Sequence, residues 1–378
     1  MNIAVNTRQL KGDDAERRAD LIFSCFSILA KKYPQHRFIY IFDQPFDQKF
    51  ITSENIIPVI AGPEATSSLR LQYWFNYKVP AILKKYKADV FVSMDGICSL
   101  RTKVPQCVLL NDLSFIHYPK LHTKGKAGFY KKFTAKFLAK AKVIAATSES
   151  GKDEIIKQYG INPEKVGLVY RSADPSFCPI NDKEKENIKE RFTDGREYFL
   201  YMGSIDAGKN LINLLKAFSF FKKRQKSSMQ LVIAGKAVSG YEQFAKDLKT
   251  FKFRNEVKWL DGLSKAEYLK LMAGAYAFVD PAIIEDENAI AEQAMRSDVP
   301  VVISSAIKLP DRCAQAVLYA DPDDFMDIAD KMMLLFKDED KRSELIQAGK
   351  AVALQINPAK TADMLWECIS AAIKTETA

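Results

Sequence analysis

The sequence is poor in metal ligands: it has only three histidines, His36, His117 and His122, and its six cysteines include no Cys-x-x-Cys pair. A zinc site therefore lacks its usual ligand sets. The scattered thiols at 25, 98, 107, 178, 313 and 368 read as free cysteines, most of them in apolar surroundings. No apolar run approaches the roughly 18 residues that a membrane-spanning helix needs. The opening stretch MNIAVNTRQL lacks a charged-then-apolar leader and reads as a strand and its exit, so a cytoplasmic location is expected. Where a dinucleotide-binding protein would carry Gly-x-Gly-x-x-Gly, the chain has VNTRQLKGDDAERR, which disfavours a dehydrogenase. No nucleic-acid-binding module is present, so nucleic acid is not an expected partner.

What is present describes a soluble α/β chain. Its 378 residues are too many for one ordinary core and suggest two domains. The formal net charge of +9 is uneven: Met1 to Phe177 hold 27 Lys and Arg against 16 Asp and Glu, and the remainder holds 29 against 31. An anionic partner is expected for the first half. Thirteen short apolar runs, from NIAV at the start to AVLYADP near residue 320, alternate with helical stretches such as Leu21–Lys32 and Asp153–Tyr159. That alternation predicts doubly wound parallel sheets covered on both faces, a Rossmann-like architecture used twice. The expected boundaries are a first domain over 1–177, a solvated linker over 178–197 that reads as a connecting helix and turn, and a second domain over 198–357. A final amphipathic helix over 358–378 is expected to cross back to the first domain. In such sheets ligands sit beyond the carboxyl ends of the strands.

At YMGSIDAGKNLINLLKAF the chain resembles the second domain of the family 4 glycosyltransferases. The segments VNTRQL, NDLSFIHYP, ATSES with KDEIIKQYGI, and AEQAMRSDVPVVIS are similar to further motifs of that family, in order and across nearly the whole chain. The resemblance implies the GT-B fold, two Rossmann-like domains facing across a cleft. It also implies transfer of a sugar from a nucleotide diphosphate sugar, with retention, to a glycan or lipid-linked acceptor. Neither a metal nor a further cofactor is implied; cations and helix N-termini steady the leaving diphosphate.

By that resemblance the donor set is Gly203, Ser204, Lys209 and Glu292. Lys209 matches a diphosphate-binding lysine, with a solvated lysine at a helix start as the plainer alternative. Glu292 matches a carboxylate that accepts from the ribose hydroxyls, with an ordinary exposed helix glutamate as its alternative. Gly208 stands where the family carries a second cation. Asn111 and Asp112 stand at catalytic positions, Asp112 with loop capping as its alternative; Glu285 stands for the family's first glutamate but lies seven residues before Glu292 where the family has eight; Gly12, Ser148 and Glu149 match the acceptor side. Ser148 or Ser150 serves equally well as a helix N-cap.

Three positions depart from the family pattern. Asn111 replaces a histidine; it donates a hydrogen bond but carries no proton. Residues 12–18 keep one glycine and form an acidic start. Residues 285–288 put acidic groups where glycines usually approach the phosphate. A second function class follows, a non-catalytic relative that binds a partner enzyme or a glycan. His117 matches a second family histidine, read as structural. Finally, residues 120–142 carry eight lysines among aromatic residues. This basic amphipathic stretch fits an anionic membrane surface or a core-facing helix with a solvated lysine face.

Overall fold

In the computed structural model the chain forms two compact units, Met1–Arg171 with Pro358–Ala378, and Ser172–Asn357. The structure describes residues 1–10, 16–110, 113–117, 124–172, 174–238, 241–283, 289–307, 309–355 and 357–374.

The first unit is built on seven parallel strands: β1 (Asn2–Asn6), β2 (Arg37–Phe42), β3 (Ile56–Ile60), β4 (Val90–Ser93), β5 (Gln106–Leu110), β6 (Val143–Ala146) and β7 (Val166–Leu168). Their order is β3-β2-β1-β4-β5-β6-β7. β1 runs beside β2, with Ile3 opposite Phe38, and beside β4, with Ile3 opposite Val90. All four residues of β4 and of β6, and all five of β5, are buried. Helices cover both faces, which is why these strands read as unbroken apolar runs rather than alternating ones. One face packs on the helices Glu16–Lys32 and Pro358–Ile373, where Phe26, Leu29, Leu365 and Ile369 are buried. The C-terminal helix, started by a proline that fits a first helical turn, lies in this unit. The other face packs on the 68–85 stretch and the helices Lys124–Lys140 and Glu149–Tyr159.

The Lys124–Lys140 helix shows how the two faces of the basic stretch are used. Phe129, Phe137 and Leu138 are buried in the sheet-facing core, while Lys131, Lys132, Lys136 and Lys140 are exposed. The apolar stripe is used by the fold, and only the lysine face meets solvent.

The second unit holds six parallel strands: β8 (Tyr198–Met202), β9 (Gln230–Ala234), β10 (Val257–Leu260), β11 (Ala277–Asp280), β12 (Val301–Ser304) and β13 (Val317–Ala320). Their order is β10-β9-β8-β11-β12-β13. The 178–197 segment, expected to be a solvated connecting helix and turn, holds the helix Asp182–Thr193, which groups with this unit. Its charges hide a narrow stripe: Ile188 is buried and Phe192 packs beside it. Ion pairs Glu184–Lys270 and Arg191–Glu267 tie it to the Lys265–Ala273 helix. Five cysteines are buried; Cys178 is exposed.

Candidate functional site

Both sheets step outward from their first strand in one direction and then resume on its other side. The reversal falls between β1 and β4 in the first sheet and between β8 and β11 in the second. Loops leaving two such strands run to opposite faces and leave a crevice at their carboxyl ends.

In the second sheet the loop after β8 carries three of the four donor candidates. Gly203 has φ of 154°, and a Cβ at Gly235 would lie 1.6 Å from its carbonyl oxygen. Position 235 therefore tolerates only glycine, and the loops after β8 and β9 close on one another. Ile205 N–H donates to the Lys236 carbonyl at 2.9 Å, and Val238 N–H to the Ile205 carbonyl at 3.1 Å. The Ser204 hydroxyl donates to Asp206 Oδ2 at 2.8 Å, and Gly208 N–H to Asp206 Oδ1 at 2.8 Å. Asp206 thus caps the short turn Ala207–Lys209. Ser204 serves that cap, and its side chain shapes the loop.

Asn210 fixes the same turn from the other side. It sits in the left-handed region, with φ of 55°, a conformation that asparagine enters more readily than most residues. Its Nδ2 donates to the Pro281 carbonyl at 3.0 Å and to the Pro322 carbonyl at 2.7 Å. Those carbonyls belong to the loops after β11 and β13. Ile283 N–H also donates to the Gly208 carbonyl at 3.0 Å. Lys209 is therefore carried on a turn bound to three strand exits, directly before the helix Leu211–Gln225. A cation and a helix N-terminus bear the same sign, and together they favour an anion beside them.

Glu292 enters from the other side of the reversal, on the helix Ala289–Arg296 that follows β11. It is 6% exposed, so it is not an ordinary surface glutamate. Its Oε1 accepts from Arg312 Nη2 at 2.5 Å and lies 3.9 Å from Cys313 Sγ. Burial, and then the charge of Glu292, push the Cys313 thiol up to about 12, so it stays protonated.

On the first sheet, Ser148 is the N-cap of the Glu149–Tyr159 helix: its Oγ accepts from Gly151 N–H at 3.0 Å. Glu149 Oε1 accepts from the Tyr170 hydroxyl at 2.8 Å. Both side chains therefore have structural work at the end of β6. Asn111, Asp112, Glu285 and Gly12 lie outside the described residues, as do positions 286–288.

Sequence reasoning missed three groups. Asn210 and Arg312 are two of them. The third is a polar network at the β1/β4 reversal, where Arg8 Nη2 donates to Asp95 Oδ2 at 2.7 Å and the Ser93 hydroxyl to Asp95 Oδ1 at 2.8 Å. Asn6 Nδ2 donates to the Ser93 hydroxyl at 3.1 Å. Burial works against the Arg8 charge, but Asp95 outweighs it and holds the guanidinium above its usual range. The available signal was that VNTR and VSMD each put polar residues directly after a buried strand. Among the described residues no group of three or more His, Cys, Asp or Glu could hold a metal ion. No described helix is long and apolar enough to cross a membrane.

Comparison with known proteins places this geometry in context. Residues 182–352 match the family model for glycosyl transferases group 1, and residues 32–177 the model for glycosyltransferase family 4. The O-antigen chain mannosyltransferase RfbU of Salmonella typhimurium is 27% identical over 279 residues, spanning 70% of this chain and 71% of that one. A glycosyltransferase from Rickettsia africae superposes with a TM-score of 0.74 at 14% identity, covering 99% of both chains. HepE from Anabaena, solved in complex with UDP, superposes with a TM-score of 0.73 at 17% identity, covering 98% of this chain and 100% of that one.

Proposed function

The chain belongs to the family 4 glycosyltransferases, and on that premise we propose that it transfers a hexosyl group from a nucleotide diphosphate sugar to a glycan or lipid-linked acceptor, with retention and without a metal. The observation that carries this reading is the turn holding Lys209, capped by Asp206, clamped by Asn210 and set at the start of the Leu211–Gln225 helix at the β8/β11 reversal. As the glycosidic bond breaks, negative charge builds on the diphosphate. A preorganised cation and a helix N-terminus stabilise that charge without rearranging during the reaction. Glu292, on the helix after β11, is assigned to the ribose hydroxyls. Asn111, Asp112 and Glu285 are assigned to the reacting sugar by resemblance. Because Asn111 cannot carry a proton, the rate enhancement is assigned to leaving-group stabilisation rather than to a base at that position. The acceptor is assigned to the first unit, with Ser148 and Glu149 at the end of β6.

A relative named as an O-antigen chain mannosyltransferase makes a mannosyl nucleotide the first donor to try. The test is incubation with GDP- and UDP-hexoses, a set of glycan and lipid-linked acceptors, and EDTA throughout. Turnover giving a product with the donor's anomeric configuration is expected. Inverted product would remove the retaining assignment, and turnover that returns only with added Mg²⁺ or Mn²⁺ would remove metal independence. Saturable nucleotide binding with no turnover of any donor would make the chain a non-catalytic relative.

An anionic bilayer is a further assigned partner, through the lysine face of the Lys124–Lys140 helix. Since the apolar stripe of that helix is buried, the contact is electrostatic. Co-sedimentation with anionic vesicles is expected at low salt and should vanish near 1 M, where the Debye length is about 3 Å. Binding that survives such salt, or no binding at low salt, would contradict it.

A further inference from the structure

We propose that Arg312 is a positioning residue that aims the Glu292 carboxylate at the ribose of the donor nucleotide; this rests on the donor reading above. Among the described ion pairs only two hold both side chains to about 15% exposure or less: Arg8–Asp95, at 15% and 2%, and Arg312–Glu292, at 12% and 8%. A buried pair of this kind contributes little net stability, because desolvation of the two charges offsets their attraction; an apolar pair of similar volume commonly does as well. Its presence on the first turn of the helix after β11 is better explained by what the carboxylate must do there.

The anchoring of Arg312 fits that task. It lies in the short turn Asp311–Cys313 between β12 and β13. The next residue, Cys313, is fully buried in the core alongside Ala294 and Met295 of the Glu292 helix. Cys313 N–H donates to the Pro310 carbonyl at 2.8 Å, and Ala316 N–H to the Cys313 carbonyl at 2.9 Å. The guanidinium is thus delivered from a fixed backbone. The Nη2 bond to Oε1 at 2.5 Å holds one carboxylate oxygen in place from a rigid guanidinium, where a lysine would offer a flexible point charge. A carboxylate has about four acceptor positions, so this bond leaves capacity for hydroxyl donors. The protonated Cys313 thiol adds a weak neutral donor beside Oε1 rather than a competing anion.

The test is calorimetric titration of the full chain with UDP and GDP, and with their 2′-deoxy analogues. The wild type is expected to prefer the ribonucleotide by about tenfold, the scale of one charged hydrogen bond. Arg312→Met should bring that preference within about twofold, and Arg312→Lys should fall between. A general loosening of the fold would lower affinity for both nucleotides without changing their ratio. Removing one partner leaves a buried charge and can prevent folding. The pair Glu292→Gln with Arg312→Met removes both charges and should fold with the preference lost. Folded Arg312→Met or Arg312→Lys protein with the wild-type ratio would overturn the proposal and leave the donor reading intact; a wild type without ribose preference would overturn the proposal together with the assignment of Glu292 to the ribose. No binding of either nucleotide by the wild type would overturn the donor reading, and this inference with it.

Discussion

Replacing Lys209 with alanine is expected to weaken nucleoside diphosphate binding by roughly 1.5–3 kcal/mol, the range for losing a hydrogen bond to a charged group, or about tenfold to a hundredfold. The loss should be specific. Lys209 is partly exposed, and the turn that carries it is held by bonds from Asp206, Asn210 and Ile283, none of which uses its side chain. The turn itself should therefore survive the substitution, and diphosphate affinity should fall by more than the folding stability does. Affinity for the nucleoside alone should be nearly unchanged, because the lost contact is to phosphate. Titration of wild type and variant with diphosphate, monophosphate and nucleoside checks all three points. An unaltered diphosphate affinity would move the phosphate away from the β8 turn. Lys209→Arg should restore part of the loss, because it returns a cation with a different donor geometry.

Asn210→Ala is expected to be the most damaging single change to the scaffold of this site. It removes the donor for the Pro281 carbonyl, about 1–3 kcal/mol if left buried without a partner, and one of two donors for the Pro322 carbonyl, which keeps Asn213 Nδ2 at 2.9 Å. It also forces alanine into the left-handed region that Asn210 occupies at φ of 55°, at about 1–2 kcal/mol. A total of about 2 kcal/mol or more is expected for the second unit. For 150–250 residues this corresponds to a fall of roughly 4–8 °C in its melting temperature. Asn210→Gly separates the two causes: it accepts the backbone conformation and loses only the hydrogen bonds, so it should melt above the alanine variant. Since the chain contains two units, calorimetry should resolve the affected transition rather than report one apparent midpoint. Equal melting of both variants would place the whole effect in the hydrogen bonds. No change in either would mean that the clamp does not hold the turn.

The strands were the most legible part of the sequence. Each of the thirteen apolar runs corresponds to one of β1–β13, because a parallel strand covered on both faces must be apolar at nearly every position. Lys209 and Glu292 could be singled out because each sits in a short contiguous motif. Their partners could not. Asn210 reaches carbonyls 71 and 112 residues away, and Arg312 reaches Glu292 across 20 residues that include β12. Such distances close only once the strand order is known, and nothing local in the sequence states where that order reverses. The Asp182–Thr193 segment was legible as a helix, but its packing was not: its charges outnumber the two apolar residues, Ile188 and Phe192, that pack it down. In the Lys124–Lys140 helix the sequence displayed an apolar stripe and a lysine face equally well, and only packing decides which of them meets solvent.

The most direct test of the central claim, that the turn at Lys209 holds the diphosphate of a donor nucleotide, is calorimetric titration of the unmodified protein with UDP and with GDP in EDTA at low and moderate salt. Saturable binding at one site is expected for at least one of them, weaker at the higher salt and weaker again in Lys209→Ala. Flat titrations with both nucleotides at low salt would contradict the account.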